Sequence, residues 1–226
     1  MKSIILNTFK IPGENSIASF QLALEKAPYN DDKGFGFESI DVHDGLISAV
    51  LIKRNATFIY EFDSEAKAMI KRQIMLFLEI PFEVDFDYQI LSVFGPANYL
   101  SLLRSSFRNS FDFVYELGYA NLSPYHIYTK LIEKKITANF HSISIENFVY
   151  ENGISGKLIG HVIDDSVAEE LVSAYKTDVC KAILNIRMDE DHQFELQVAN
   201  NGAVKFYSTE DNFGEHFNFF KQTLFK

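Results

Sequence analysis

The sequence predicts an α+β protein in which an antiparallel sheet is covered by helices. Apolar residues recur at helical spacing in several segments, and short, turn-bounded apolar runs typical of strands lie between them. The chain has 226 residues, of which 47% are hydrophobic and 23% are charged, close to the average of globular proteins. A chain of this size can bury one large core or two smaller ones. The composition excludes a disordered chain, a collagen-like repeat and a coiled coil.

The first half is predicted to begin with a helix over residues 15–27, in which Ile17, Phe20 and Leu24 recur at helical spacing. A hairpin follows, because Asp44-Gly45 suits the positive φ angles of a tight turn. A short helix is expected next, over 65–72, capped by Asp63 or Ser64. The remaining first-half predictions are strands over 38–43, 46–53, 57–62, 74–80, 82–87 and 90–94, and a helix from about residue 97.

The second half is predicted to follow the same order of elements. Ser123-Pro124 combines a capping residue with a proline suited to the first helical turn, so a helix should begin there. Asp165 or Ser166 is expected to cap another helix, and Asn212 to begin the last one. The predicted strands cover 143–151, 154–163, 182–188, 194–198 and 204–207.

The two halves share landmarks at a nearly constant separation, which indicates a divergent duplication. Asp44-Gly45 corresponds to Asn152-Gly153, and the segment 82–86 (FEVDF) corresponds to 194–198 (FELQV). Each of those two segments precedes a turn, another strand and a helix. The alternative is chance similarity between two α+β segments, because residue identity elsewhere is low.

We therefore expect two tandem helix–meander–helix repeats, covering 1–110 and 111–226, related by a pseudo-twofold axis. Each half-sheet would bury one face under its helices, and joining the two at their edges would give one continuous, curved sheet. Saddles of the TATA-binding-protein type and sliding-clamp repeats have this architecture. The analogy is one of topology only, since no residue motif of either family is present, and it supplies no function.

The charge balance disfavours autonomous nucleic-acid binding. Lys and Arg total 21 and Asp and Glu total 31, for a net charge of −10, whereas duplex binding depends on basic residues that replace phosphate counterions. Adjacent basic residues occur as pairs, such as Lys53-Arg54, Lys71-Arg72 and Lys134-Lys135. The single cysteine, Cys180, excludes an internal disulfide, and no apolar run reaches the length of a membrane span. A cytoplasmic protein is the simplest expectation.

No set of residues has the spacing of a known catalytic or metal-binding motif. The run 189–192 (DEDH) is the nearest candidate for a divalent-cation site, but a solvated turn explains it as well. His161 with Asp164 is the nearest candidate for a hydrolase, although Asp164 and Asp165 also suit a helix cap. Cys180 has no histidine close to it in the sequence. We therefore predict no catalytic residue, no metal and no cofactor.

Two features predict a partner-binding surface. Glu83, Asp85 and Asp87 alternate with apolar residues, so one strand face should carry carboxylates. This face is either simply solvated or a docking surface whose carboxylates select a basic partner. Phe219 and Phe225 fall off the apolar stripe that the final helix is expected to turn toward the core. They are expected to contact another surface, either within the protein or on a partner. These five residues form the predicted partner-binding site.

These observations favour a non-enzymatic, intracellular protein-interaction module. It would be an accessory or adaptor subunit of a larger complex, of the kind encoded in bacterial defence operons. Its partner would present a basic or apolar surface, and assembly into a homo-oligomer is a further expectation. Two alternatives stay open. One is a nucleic-acid-binding saddle or a subunit of a nucleic-acid-processing complex, and the other is a small hydrolase that uses His161 and Asp164.

Overall fold

The computed structural model describes residues 1–12, 16–120, 122–150, 153–189 and 192–225. Within these ranges the chain forms five helices and an 11-stranded antiparallel sheet, which confirms the predicted α+β class. The strands are β1 (Lys2–Lys10), β2 (Phe35–His43), β3 (Leu46–Asp63), β4 (Ala68–Asp85), β5 (Ile90–Phe94), β6 (Glu116–Tyr119), β7 (Thr137–Val149), β8 (Ser155–His161), β9 (Val179–Arg187), β10 (Gln193–Ala199) and β11 (Ala203–Tyr207). The helices are α1 (Ser16–Glu25), α2 (Asn98–Ser110), α3 (Pro124–Glu133), α4 (Asp165–Ala174) and α5 (Phe213–Phe225). None of these helices is long and apolar enough to cross a membrane.

The N-terminal strand β1 lies at the centre of the sheet. The strand order is β2-β3-β4-β5-β1-β11-β10-β9-β7-β8, and the short β6 also pairs with β1. One edge of β1 pairs with β5, and the other edge pairs with β11 and then with β6. The first and last strands of the chain are therefore neighbours. The sheet is complete only when residues from both ends of the chain have come together.

The helices of the two halves cover opposite faces of the sheet. Along β1, Ile4 and Leu6 join a hydrophobic cluster that includes side chains of α3, α4 and α5, and we call it the second-half core. Ile5 and Phe9 join a second cluster that includes side chains of α1 and α2, and we call it the first-half core. Because successive strand residues point to opposite faces, the two cores lie on opposite sides of the sheet. Each half-sheet consequently has a second face that its own helices do not cover.

The order of strands differs between the two halves. In the first half, β2 to β5 are adjacent in chain order, whereas in the second half β7 lies between β8 and β9. The predicted joining of two half-sheets into one continuous sheet is present. The tandem duplication, its pseudo-twofold axis and the boundary between residues 110 and 111 stay predictions.

Local turn and capping signals were predicted well. Asp44 and Gly45 have φ angles of 44° and 79°, as expected for a tight hairpin turn. The Ser123 side chain accepts a hydrogen bond from the His126 backbone N–H at 3.2 Å and caps α3. Asp164 caps α4, which confirms the interpretation of Asp164 as a cap residue, whereas Asp165 and Ser166, the other predicted caps, lie at the start of the helix. Asn152, which we assigned to the corresponding second-half turn, lies outside the described residues.

The predicted helix over 65–72 is wrong, because this segment is the turn and the first part of β4. The Asp63 carboxylate accepts hydrogen bonds from the backbone N–H groups of Glu65 and Ala66, at 2.8 and 2.9 Å. These bonds close a turn in which Lys67 has a φ of 46°. The capping signal was therefore real, but it belongs to a hairpin turn.

The strand breaks predicted between 46–53 and 57–62 and between 74–80 and 82–87 are wrong. β3 continues through Asn55, and β4 continues through Pro81, so that the two strands pair without interruption from Leu46–Asp85 to Asp63–Ala68. Pro81 lies just outside the stretch of β4 that pairs with β5, which begins at Phe82. Its missing N–H is tolerated there because a proline fits a strand where no neighbour needs its donor.

Candidate functional site

The outer part of the β3–β4 hairpin projects beyond the rest of the sheet. β2 pairs with β3 only as far as Lys53, and β5 pairs with β4 only from Phe82 to Asp85. In the described sheet, residues 55–63 and 68–76 therefore pair only with each other. At about 3.3 Å per residue, this two-stranded ribbon is about 30 Å long. We call residues 55–76 the arm.

One face of the arm is apolar and exposed, and we call it the aromatic face. Residues that are opposite in register share a face, so both strands contribute to it. Its large apolar side chains are between 51% and 65% exposed, and they are Phe58, Tyr60, Phe62, Met69 and Met75. Lys71 is the one charged side chain that the two paired segments place on this face, and its Nζ lies 4.0 Å from the centroid of the Phe58 ring.

The arm is electrically neutral within an acidic protein. On the face opposite the aromatic face, Arg72 forms an ion pair with Glu61 at 3.3 Å. The arm has equal numbers of acidic and basic residues, and they are Glu61, Asp63, Glu65, Lys67, Lys71 and Arg72. The net charge of −10 therefore belongs entirely to the rest of the chain.

The arm was not predicted as a site from the sequence. The available signal was the period-two recurrence of Phe58, Tyr60 and Phe62. We interpreted that recurrence as an ordinary strand, in which such side chains normally point into the hydrophobic core. Exposure of these rings follows from the length of the hairpin, because no helix or strand of the described chain extends to cover it.

The predicted partner-binding residues Phe219 and Phe225 lie on α5 and are both half-buried. Each packs against the second-half hydrophobic cluster, and the Phe219 ring meets the Phe194 ring edge-on, with the centroids 6.3 Å apart. Both side chains therefore already have contacts within the protein. Their binding to a partner stays a prediction.

Glu83, Asp85 and Asp87 do not form the solvated strand face that their alternation predicted. β4 ends at Asp85, so Asp87 lies in the following turn, where it is exposed. The Asp85 carboxylate is buried and lies 3.1 Å from the Lys221 Nζ. Glu83 is half-buried, and burial raises the pKa of its carboxyl, with Lys221 opposing this rise and Asp85 adding to it. Partner binding by these three residues stays a prediction.

His161 and Asp164, the candidates for hydrolase chemistry, are not brought together by a hydrogen bond in the described structure. His161 is exposed, and its ring contacts that of His141 with the centroids 5.8 Å apart. The Asp164 carboxylate accepts hydrogen bonds from the backbone N–H and hydroxyl of Ser166, at 2.9 and 2.6 Å. These bonds lower the pKa of Asp164, as expected for a helix cap.

The run 189–192 and Cys180 show no arrangement suited to chemistry in the residues described. Asp189 contacts the His192 Nδ1 at 2.9 Å, whereas Glu190 and Asp191 lie outside the described residues. The described residues include no cluster of side chains suited to a metal ion. Burial, followed by the nearby Glu146, raises the pKa of the Cys180 thiol. A raised pKa makes the nucleophilic thiolate scarcer.

Comparison with known proteins places this chain in no family. Its sequence matches no protein-family model, and no curated protein sequence is significantly similar to it. The function of the protein must therefore be inferred from its own residues.

Proposed function

We propose that this protein is a non-enzymatic interaction module and that it docks through the aromatic face of the arm. The partner on that face is a second copy of the same chain. The observation that carries this proposal is the exposed row of Phe58, Tyr60 and Phe62, on a ribbon that no other described element covers.

The apolar area supports a docking role. An aromatic side chain can bury roughly 150–250 Å², so the exposed parts of three rings and two methionines amount to several hundred Å². Patches of this size on a monomer commonly mark an interaction site. A two-stranded ribbon is also only marginally stable alone in water, so a partner that covers it would stabilise its structure.

Electrostatics support a second copy as the partner. Two chains that each carry a charge of −10 repel one another wherever their acidic surfaces approach. The arm is neutral and extends about 30 Å beyond the sheet, whereas exposed charges are largely screened beyond about 10 Å at ordinary salt concentration. Contact between two arms therefore joins the molecules with the acidic bodies held apart.

Symmetry supports the same arrangement. A twofold dimer uses the same patch on both subunits, so the patch must be self-complementary. The aromatic face meets this requirement, because rings and methionine side chains pack well against their own kind. Lys71, the one charged side chain of this face, lies over its own Phe58 ring, and the two copies must pack so that their Lys71 ammonium groups stay apart.

Mass measurement across a concentration series tests the proposal. A standard interface buries about 800 Å² per partner, and the aromatic face is smaller, so we expect a dimer with a dissociation constant on the order of tens of micromolar. Light scattering between about 1 and 300 µM should show a shift from monomer to dimer. The double variant Phe58→Thr/Phe62→Thr should remain monomeric, because threonine favours strands but removes both rings.

The matched control is Ile159→Thr/Ile163→Thr, which removes two apolar side chains that are 70% and 102% exposed elsewhere. This control should dimerise like the wild-type chain. A wild-type chain that stays monomeric throughout the series, or a double arm variant that still dimerises, would contradict the proposal. Membership in a larger complex as an accessory subunit is the wider role that such a dimer would serve.

A further inference from the structure

A pocket of about 380 Å³ lies between α2 and the segment that leads into β6. Its lining residues are Arg104, Arg108, Phe113, Val114, Tyr115 and Leu117. Arginines and apolar or aromatic side chains thus share one concave site. A volume of this size is within the range of small-molecule pockets, roughly 300–1,000 Å³.

Four of the six lining residues belong to well-anchored parts of the fold, whereas Phe113 and Val114 lie in the loop between α2 and β6, where Val114 is 75% exposed. Arg104 and Arg108 are one turn apart on α2, next to Leu103 and Phe107, which are fully buried in the first-half core. The Tyr115 ring stacks on Phe9 of the central strand, with the ring centroids 5.8 Å apart. On the same side, Leu117 pairs in register with Phe9. The two walls of the pocket are therefore held by a core helix and by the centre of the sheet.

The pocket is cationic and has no internal counterion. No carboxylate lines it, and no acidic residue among those described forms an ion pair with Arg104 or Arg108. The Arg104 Nε is enclosed and has no hydrogen-bond acceptor in the described structure. Arg108 also hydrogen-bonds the Tyr115 hydroxyl, but no carboxylate of the described residues neutralises either arginine. Like charges at this helical spacing repel each other, so these two arginines in an acidic chain favour a bound anion.

Tyr115 adds a neutral hydrogen-bond donor to the same site. Burial raises the pKa of its hydroxyl, and the nearby Arg108 and Arg104 oppose this rise without cancelling it. The hydroxyl therefore keeps its proton at neutral pH and can donate it to an anionic oxygen. Phe113, Val114 and Leu117 provide the apolar part of the lining.

We propose that this pocket binds a phosphate monoester carried on a planar ring, the chemistry of a mononucleotide or of a phosphorylated nucleic-acid end. Two guanidinium groups match the charge of a phosphate dianion, whereas a carboxylate would leave one of them uncompensated. The ring of the ligand lies against the apolar and aromatic wall. This binding site is separate from the arm and does not depend on dimerisation.

Calorimetric titration at low salt tests the site with phenyl phosphate, AMP and inorganic phosphate as probes. Phenyl phosphate and AMP should each bind once per chain and about tenfold more tightly than inorganic phosphate, because only they contact the apolar wall. The variant Arg104→Gln/Arg108→Gln should weaken the binding of both by tenfold or more, with an unchanged unfolding midpoint. Arg108→Lys should bind both probes less tightly than the wild-type chain and more tightly than the double variant, because lysine keeps the charge but loses the bidentate geometry.

The double variant Arg72→Gln/Lys130→Gln is the matched control, since it removes the same two positive charges from exposed side chains outside the pocket, and it should bind the probes as the wild-type chain does. The site is refuted if neither phenyl phosphate nor AMP binds up to about 10 mM. Equal weakening by this control and by the pocket variant would also refute it, since the effect would then reflect overall charge.

Short oligonucleotides with and without a 5′-phosphate distinguish the two sources of the phosphate. Tighter binding of the 5′-phosphorylated strand than of AMP, with loss of that advantage in the 5′-hydroxyl strand, assigns the pocket to a strand end. Equal or tighter binding of AMP assigns it to a free nucleotide. An oligonucleotide that binds equally with either end, and as well in the pocket variant, would place its contact elsewhere and count against the strand-end source.

Discussion

Lys221 of the last helix donates a hydrogen bond to Asp85 at the end of β4, with 3.1 Å between Nζ and Oδ2. The two residues are 136 positions apart, and their side chains are only 7% and 12% exposed. Asp85 also accepts a hydrogen bond from the Tyr88 backbone N–H at 3.1 Å. Asp85 pairs in register with Ile90, so the two residues share a face of the sheet, and Ile90 belongs to the same hydrophobic cluster as the side chains of α5. The helix α5 therefore extends across the centre of the sheet and contacts first-half strands.

Removing one member of this pair should destabilise the protein strongly. Lys221→Met leaves a buried carboxylate without its cation, which typically costs about 3–5 kcal/mol of unfolding free energy. Asp85→Asn keeps an acceptor for the Tyr88 N–H but removes the carboxylate that the Lys221 ammonium group contacts, which leaves only the nearby, half-buried Glu83 as an acidic neighbour. In the double variant neither charge is buried, so its loss of stability should be clearly smaller than the sum of the two single losses.

Urea unfolding of the wild-type chain, both single variants and the double variant measures this coupling. The exposed pair Lys130–Glu133, at 3.3 Å, provides the control. Lys130→Met should change stability by less than about 1 kcal/mol. Strictly additive losses at Asp85 and Lys221 would show that the two side chains do not interact in the folded protein.

His216 should make the stability of the protein depend on pH. Its side chain is 3% exposed, its ring stacks on Phe194 with the centroids 4.4 Å apart, and its Nδ1 has no hydrogen-bond partner in the described structure. Burial lowers the pKa of His216 below its ordinary value of 6.5, with Glu215 opposing this change and His192 adding to it. The folded protein therefore holds a neutral imidazole.

The direction of the pH effect follows from proton binding. Between the lowered folded pKa and 6.5, the unfolded chain binds more protons at this site than the folded chain does. The stability that the neutral ring contributes is thus fully present above pH 6.5 and is lost as the pH falls through the folded pKa. His216→Phe keeps an aromatic ring for stacking and should remove this loss.

Unfolding free energies at about pH 7.5 and pH 5.5 test this expectation. The difference between the two values should be smaller in His216→Phe than in the wild-type chain. The exposed His43 is the control, and His43→Phe should retain the wild-type difference. If His216→Phe and wild-type lose the same stability on acidification, His216 is not the responsible group.

The elements that depend on near neighbours in the sequence were predictable. The turn at Asp44-Gly45 and the cap at Ser123 each require only a few adjacent residues, and both are present. The helix expected over 65–72 is absent because the prediction there used only the local preference of the residues. Its Glu, Ala, Lys and Met residues are strong helix formers, but pairing with β3 along the whole hairpin overrides that preference.

The central strand β1 could not be recognised from local patterns. Ile4, Ile5 and Leu6 are buried on both faces of the sheet, so the run lacks the alternation that marks a half-buried strand. Its partners lie far away in the chain, including β11 at the opposite end. Asn7 is 1% exposed and its side-chain amide has no hydrogen-bond partner among the described residues, so even a polar residue here is enclosed.

The candidate sites were missed for a different physical reason. Arg104 and Arg108 are separated by three residues, and only a helix brings them to one side, where β6 completes the pocket. The arm residues are exposed because of the hairpin's length, which depends on where β2 and β5 stop pairing. Both features arise from tertiary arrangement, which the order of residue types alone does not reveal.

Gly36 should be among the least replaceable residues in the chain. A Cβ atom at this position would lie 2.2 Å from both the Cα and the N of Tyr29, in the loop after α1. Backbone atoms cannot move aside as a flexible side chain can, so Gly36→Ala must separate β2 from that loop. We expect Gly36→Ala to lower the unfolding free energy by about 3 kcal/mol or more, or to prevent folding.

Gly160 in β8 is the matched control, because a Cβ there meets nothing within 4 Å. Gly160→Ala should leave the thermal unfolding midpoint unchanged or raise it slightly, and equal midpoints for the two variants would contradict the close packing of the loop against β2.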